Sequence, residues 1–283
     1  MNTLLQVSDL RLHYPRVGLR ATPPEVLRGI TLQIAAGETL GLVGESGSGK
    51  TTLGRAVLGL AEPSAGAIRF AGADITHLSA KRRRPLAKDI QVIFQDPYSS
   101  LNPAMQIADI LAEPLVAQGA TAADARGSVR SLLDKVGLPA DAARRYPREF
   151  SGGQRQRVAI ARSLALRPRL IVCDEPVSAL DLTTQARVLD LLIDIQRETG
   201  VAYLFITHDL QVVRHVSHRI AVMYQGELVE TGSAADVTSN PQNEYTRNLL
   251  LASPTADPDR QRERRELRRT LRVTTTNVVT QSR

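Results

Sequence analysis

The chain has 283 residues, 42% of them hydrophobic and 23% charged, with a formal net charge of +7 and one cysteine. That length allows a large core in one or two domains, and the balance is that of an ordinary globular protein. The lone Cys173 excludes an internal disulfide and a cysteine-built metal site. No 18-residue apolar run occurs, and the opening Met-Asn-Thr-Leu-Leu-Gln-Val lacks a basic stretch followed by an apolar one. The expectation is therefore a cytosolic chain, neither secreted nor membrane-spanning. The positive surplus points toward nucleic acid or anionic lipid. Yet five of its seven charges come from one segment, where seven arginines face two glutamates between Arg260 and Arg272.

In chain order, residues 3–14 alternate loosely around Leu5, Val7, Leu10 and Leu12, which predicts an opening strand stopped by Pro15. A loop rich in Gly and Pro runs to Pro24, a second strand covers 26–34, and 35–38 form a turn. Thr39–Val43 is a short apolar run of the buried-strand kind, and 53–60 carry apolar residues at helical spacing. A turn at 62–66 and a short strand over 67–70 follow. The basic run 81–84 before Pro85 is taken as a solvated loop, and 89–94 as another apolar strand ending at Gln95. From 96 to 150 strand-like runs give way to helical spacing at 107–116 and 129–136, which predicts a helical insert. Ser151-Gly152-Gly153-Gln154 then opens a helix through Leu166, 170–173 is an apolar strand, 187–198 an amphipathic helix, and 202–206 a strand running into Thr207-His208-Asp209. Alternation of this kind implies an α/β fold with a parallel sheet and helices on its faces.

The segment that organises this chain lies between the third strand and the first helix: Gly44, Glu45, Ser46, Gly47, Ser48, Gly49, Lys50, Thr51 and Thr52. It fits the phosphate-loop spacing of a glycine, four residues, then Gly-Lys-Ser/Thr. Glycines let backbone N–H groups point inward, and the helix start adds partial positive charge. Lys50 would meet the β- and γ-phosphates of a nucleotide, and the Thr51 hydroxyl would ligate Mg²⁺. Gln95, Asp174, Glu175 and His208 all fall just after apolar strands, and in a parallel sheet those positions share one edge. Asp174 there can hold Mg²⁺, and Glu175 can accept a proton from, or orient, an attacking water. Taken singly, Asp-Glu after a strand also suits a cap or loop, His208 a hydrogen-bonded core histidine, and Tyr14 either a core aromatic or a base-stacking ring. Cys173, inside an apolar strand, fits core packing.

The ordered set resembles the ATPase subunit of ABC transporters. Gly44 to Thr51 corresponds to the phosphate loop, Gln95 to the Q-loop and Ser151-Gly152-Gly153-Gln154 to the family signature. Residues 170–175 correspond to the second nucleotide motif, Ser178-Ala179-Leu180-Asp181 to the D-loop, and His208 to the switch histidine. The match covers residues 3 to about 250. It implies a P-loop NTPase core with a mostly parallel sheet, N-terminal antiparallel strands and an inserted helical subdomain. Residues 1–95 and 152–250 would form the nucleotide-binding core, 96–151 the helical subdomain, and 251–283 an Arg-rich extension. It further implies ATP and Mg²⁺, with Tyr14 stacking on adenine, Gln95 joining Thr51 and Asp174 at the metal, Glu175 and His208 catalytic, and Ser151 to Gln154 acting on a partner subunit's ATP.

A finer likeness lies in the run from Phe94 to Pro103, the Cys-Asp-Glu-Pro-Val-Ser-Ala-Leu-Asp run from 173, and Asn240-Pro241, Tyr245-Thr246-Arg247 and Ser253-Pro254. These are similar to the dipeptide, oligopeptide and nickel importer group, particularly its second ATPase. The implied partners are a second, unlike ATPase subunit, two transmembrane permease subunits and an extracytoplasmic solute-binding protein, with no nucleic acid. The implied location is peripheral, at the cytoplasmic face of the inner membrane. The departure is at the end: an arginine-rich tail without cysteine follows Pro258, and 260–272 are expected as an exposed charged helix. Chromosome-maintenance ATPases of the same superfamily separate their motifs by long coiled coils, and none lies between Lys50 and Ser151. Ribosome-acting members carry two ATPase units per chain, and this chain has one set of motifs.

Overall fold

A computed structural model describes residues 2–14, 24–96 and 100–252, whose strands form two sheets. The expected Gly/Pro-rich loop and the charged helix over 260–272 fall largely or wholly outside the described residues. Strands β1 (Thr3–His13), β2 (Glu25–Ala35), β4 (Ala65–Phe70) and β5 (Ala73–Asp74) make an antiparallel sheet in the order β2-β1-β4-β5. The second sheet runs β10-β9-β3-β8-β7-β6. Its members are β3 (Thr39–Val43), β6 (Ile90–Ile93), β7 (Leu170–Asp174), β8 (Ala202–Thr207), β9 (Arg219–Tyr224) and β10 (Glu227–Ser233). All neighbours in it are parallel except β10, which returns antiparallel on β9.

The central strands β3, β7, β8 and β9 are largely buried, which is why they are apolar runs rather than alternating ones. Leu40 and Leu42 of β3, Leu170 and Val172 of β7, and Leu204 and Ile206 of β8 join one cluster with α1 (Lys50–Leu58) and the inner face of the antiparallel sheet. Ile171, Cys173, Tyr203 and Phe205 point the other way. There they meet α3 (Ile107–Ala117), α4 (Ala122–Lys135), α5 (Gly152–Leu164) and α6 (Leu182–Thr199) in one continuous buried cluster. The helical insert thus shares its core with β7, the strand that ends in Asp174. Burial also holds the Cys173 thiol well above its ordinary pKa, in keeping with a packing role.

Two segments differ from sequence expectation. The basic run 81–84 is not a solvated loop: it forms the short helix α2 (Ala80–Arg83) and the turn after it. The half-buried Arg83 guanidinium donates to Val57 O (2.9 Å) and Ile75 O (2.7 Å), tying the end of α1 to the strand connection beside it. Charge counting sees four cations in that run and cannot distinguish the one that finds carbonyls. Beyond His208, where no element was expected, the chain adds α7 (Leu210–Val216), β9, β10, α8 (Ala234–Ser239) and α9 (Glu244–Ala252). These cover Val43, the last residue before the phosphate-loop motif, with Val213, Ile220, Val222 and Val237.

Arg83→Ala leaves two helix-end and loop carbonyls without that donor. It is expected to destabilise the fold by about 2 kcal/mol, the scale of a charge-assisted bond set partly open to water. Urea unfolding checks this as a lower midpoint at unchanged slope.

Candidate functional site

Parallel register brings the ends of β3, β6, β7 and β8 to one edge. Val43 pairs with Thr207, Asp174 with Ile206, and Ile93 with Cys173. The residues that follow, Gly44, Gln95, Glu175 and His208, emerge together there. Between β3 and α1 the chain turns through the loop, and Gly49 caps the helix with φ of 103°, a left-handed value that suits glycine. A Cβ at Gly49 would also lie 2.9 Å from Val26 O, so no side chain fits beneath the loop at that point.

Lys50 is 5% exposed and its ammonium is held inside the loop. It donates to Gly44 O (2.8 Å) and Glu45 O (2.7 Å), with Ser48 Oγ at 3.4 Å. Burial lowers its pKa, opposed by the charges of Glu175, Asp174 and Glu45. The Thr51 hydroxyl donates to Asp174 Oδ1 at 2.9 Å, and burial raises the Asp174 pKa against that bond. Glu175 takes φ of 49°, a strained value for a side-chain-bearing residue, held by its N–H donating to Ile206 O at 2.9 Å. Its Oε1 lies 3.1 Å from His208 Nδ1. Tyr14 stands at the rim, its hydroxyl 3.0 Å from Thr52 Oγ1 and its ring partly exposed. Tyr14, Val26, Ser46, Gly47, Gly49, Lys50 to Thr52 and Glu175 line one cleft. The arrangement offers an anion a buried cation and a helix N-terminus, offers a hard cation two oxygen ligands, and sets a carboxylate beside an imidazole.

Other expected residues lie apart. Ser151 caps α5, accepting from Gln154 N–H at 3.3 Å, while Gln154 Oε1 accepts from Ser151 N–H at 3.0 Å. Asp181 caps α6, accepting from Thr184 N–H at 3.0 Å; the bond from the Thr184 hydroxyl, and then this backbone bond, hold its carboxyl below the ordinary range. The two helix starts touch: a Cβ on Gly153 would meet Thr184 Cγ2 at 2.3 Å. Ser151 to Gln154 and Asp181 do not line the Lys50 cleft. Gln95 is exposed, and its side chain makes no hydrogen bond among the described residues. Two residues escaped sequence reasoning: Val26, which lines the cleft, and Tyr245, whose hydroxyl accepts from Glu45 N–H at 2.9 Å. A contact spanning 200 positions carries no local signal.

A phosphate-loop cassette with this edge geometry has known relatives. The family described as ABC transporter matches residues 27–178. The glutathione import ATP-binding protein GsiA of Salmonella paratyphi A is 51% identical over 269 residues, which are 93% of this chain and 43% of that protein. A Brucella ovis protein named for peptide import ATP binding is 50% identical over 266 residues, 94% of this chain and 83% of its own. Among solved structures, cbiO1 from Clostridium perfringens, part of the ABC transporter complex cbiONQ, superposes with a TM-score of 0.75 at 27% identity, covering 89% of this chain and 96% of its own. The ATP-binding cassette MJ0796, a dimer bound to ADP and Pi, gives 0.72 at 27% identity, covering 82% and 99%. The chain belongs to the ABC transporter family. It spans less than half the length of the Salmonella relatives.

The raised Asp174 pKa has a sign that can be checked. An ionised carboxylate disfavoured by burial costs stability above its folded-state pKa and costs nothing below the ordinary 3.8. Asp174→Asn keeps an acceptor for Thr51, so it is expected to raise the unfolding temperature of nucleotide-free protein at neutral pH. The gain should shrink as the pH falls toward 3.8, which thermal melts across that range would register.

Proposed function

We propose that this chain is an ATP-hydrolysing subunit that drives uptake of a short peptide or similar solute through separate membrane permease subunits. The observation that carries it is the buried Lys50 ammonium inside the loop, one residue from the Thr51–Asp174 pair, with Glu175 and His208 on the adjoining strand ends. ATP phosphates entering the loop replace the carbonyl partners of Lys50 with full negative charge. Backbone N–H groups of residues 46, 47 and 49–51, the last of these at the start of α1, add donors. The Tyr14 ring offers a face for adenine, with stacking worth about 1–3 kcal/mol. Thr51 and Asp174 fit Mg²⁺, since they bring two oxygens together beside Lys50, and Gln95 is assigned as a further ligand from the adjoining strand end. When bound, that ion neutralises charge developing on the phosphates. Glu175 orients the attacking water and accepts its proton, and His208 holds the carboxylate through its ring nitrogen and faces the same phosphate.

The division of labour proposed for the chain follows the motifs. Residues 1–95 and 152–250 act as the nucleotide-binding core, 96–151 as the helical subdomain, and 251–283 as an extension. Ser151 to Gln154, away from the chain's own cleft, complete the site of a second ATPase subunit, for which an unlike partner is proposed, with Asp181 beside that junction. The helical subdomain takes the permease contact, where Val116 exposes apolar surface. No helix among the described residues is long and apolar enough to cross a membrane, so attachment to the inner-membrane face is assigned to that contact. A solute-binding protein outside the cytoplasm would deliver the cargo. Relatives named for glutathione and for peptide import favour a short peptide, glutathione being a tripeptide.

Glu175→Gln is expected to retain Mg·ATP binding and lose turnover by about 10²- to 10⁴-fold, the scale of a general base. Lys50→Ala should instead weaken binding itself. Single-turnover hydrolysis and nucleotide titration, with the permease and second ATPase present, separate the two; wild-type hydrolysis by Glu175→Gln contradicts the assignment. In the same assembly Ser151→Arg should silence the partner's phosphate-loop site and spare this chain's own.

A further inference from the structure

Tyr245 approaches the phosphate loop from α9, outside the segments with nucleotide motifs. Its hydroxyl accepts from Glu45 N–H at 2.9 Å, while the Glu45 carbonyl accepts from Lys50 at 2.7 Å. Residue 45 is thus gripped at both its backbone polar groups, by a phenol on one side and the ammonium on the other. Glu45, Ser46 and Gly47 are exposed, with no apolar side chain among them to anchor this turn.

The phenol is itself held in place. Tyr245 N–H donates to Asn243 Oδ1 at 2.8 Å. Gln242 and Asn243 N–H groups donate to the two carboxylate oxygens of Glu230 on β10, at 2.8 and 3.1 Å. The Tyr245 ring lies against Tyr224 at the end of β9, centroids 4.3 Å apart and planes 38° apart. It also packs against the cluster that includes Val43. Burial raises the phenol's pKa, so the oxygen that faces Glu45 stays neutral. A residue that merely fastened α9 would need only the ring; the aimed hydroxyl is the additional feature.

We infer that Tyr245 is a positioning residue for nucleotide binding: its hydroxyl holds the Glu45 N–H and so presets the first turn of the phosphate loop in the shape that receives phosphate. The inference rests on the ATP-binding reading of the same loop. A loop that visits other shapes binds more weakly in proportion to its competent fraction. One net hydrogen bond, released, corresponds to about a two- to tenfold change in that fraction.

The test uses the full chain and a fluorescent, non-hydrolysable ATP analogue with Mg²⁺. Tyr245→Phe keeps the ring pair and removes the hydroxyl; the expected result is a Kd raised about two- to tenfold. In hydrolysis by the complete transporter the same variant should raise KM and leave kcat unchanged. Tyr203→Phe is the control, since it deletes a buried phenol's bond to Leu192 O (3.2 Å) away from the loop. It should lower the unfolding temperature and leave the Kd at the wild-type value. Wild-type affinity in Tyr245→Phe overturns the positioning role while the ATP reading stands. Weakening of both variants in proportion to their lost stability also overturns it. A wild-type chain that binds no analogue overturns the ATP reading, and this inference with it.

Discussion

A lysine ammonium taken almost wholly out of water is the constraint on which the rest of this structure depends. Among the described residues Lys50 has two backbone carbonyls and a hydroxyl as direct partners, and these do not offset the loss of hydration, so burial depresses its pKa. Asp174, at the end of β7 and two strands from β3, is shifted upward by the same cause. The pair therefore sits in the free protein with both charges poorly solvated. An anion beside Lys50 and a hard cation beside Asp174 would each relieve one cost. A cleft built this way suits a ligand that brings both, as the proposed magnesium–nucleotide complex would.

Keeping those groups in place falls to the larger sheet. β3 and β8 are fully buried and pair in parallel, so the loop after one and the His208 turn after the other cannot slide without exposing an apolar face. Glu175 is the visible cost of this precision, its backbone held at a left-handed φ by a bond to Ile206. The insert is bound into the same arrangement. Ile107, Leu111 and Val158 belong to one cluster with Ile171 and Cys173, so a displacement of α5 presses on the strand that ends in Asp174. Contact between Gly153 and Thr184 joins the caps of α5 and α6.

What the sequence determined by itself was local. The spacing from Gly44 to Thr51, the apolar strands before Asp174 and His208, and the helical period of 187–198 each encode burial or backbone shape within a few residues, and each appears where expected. The Ser151 cap is legible for the same reason, because a hydroxyl three residues before a free N–H satisfies it, whereas Asp181 caps a helix that begins at Leu182, ahead of the expected 187. Tertiary structure alone decided which distant groups meet. Arg83 finds Val57 O and Ile75 O, and Tyr245 finds Glu45 across 200 positions. Neither contact leaves a periodic trace. A hydrogen bond needs only that two atoms arrive within about 3 Å, and the sheet register and helix packing that bring them there are properties of the whole chain.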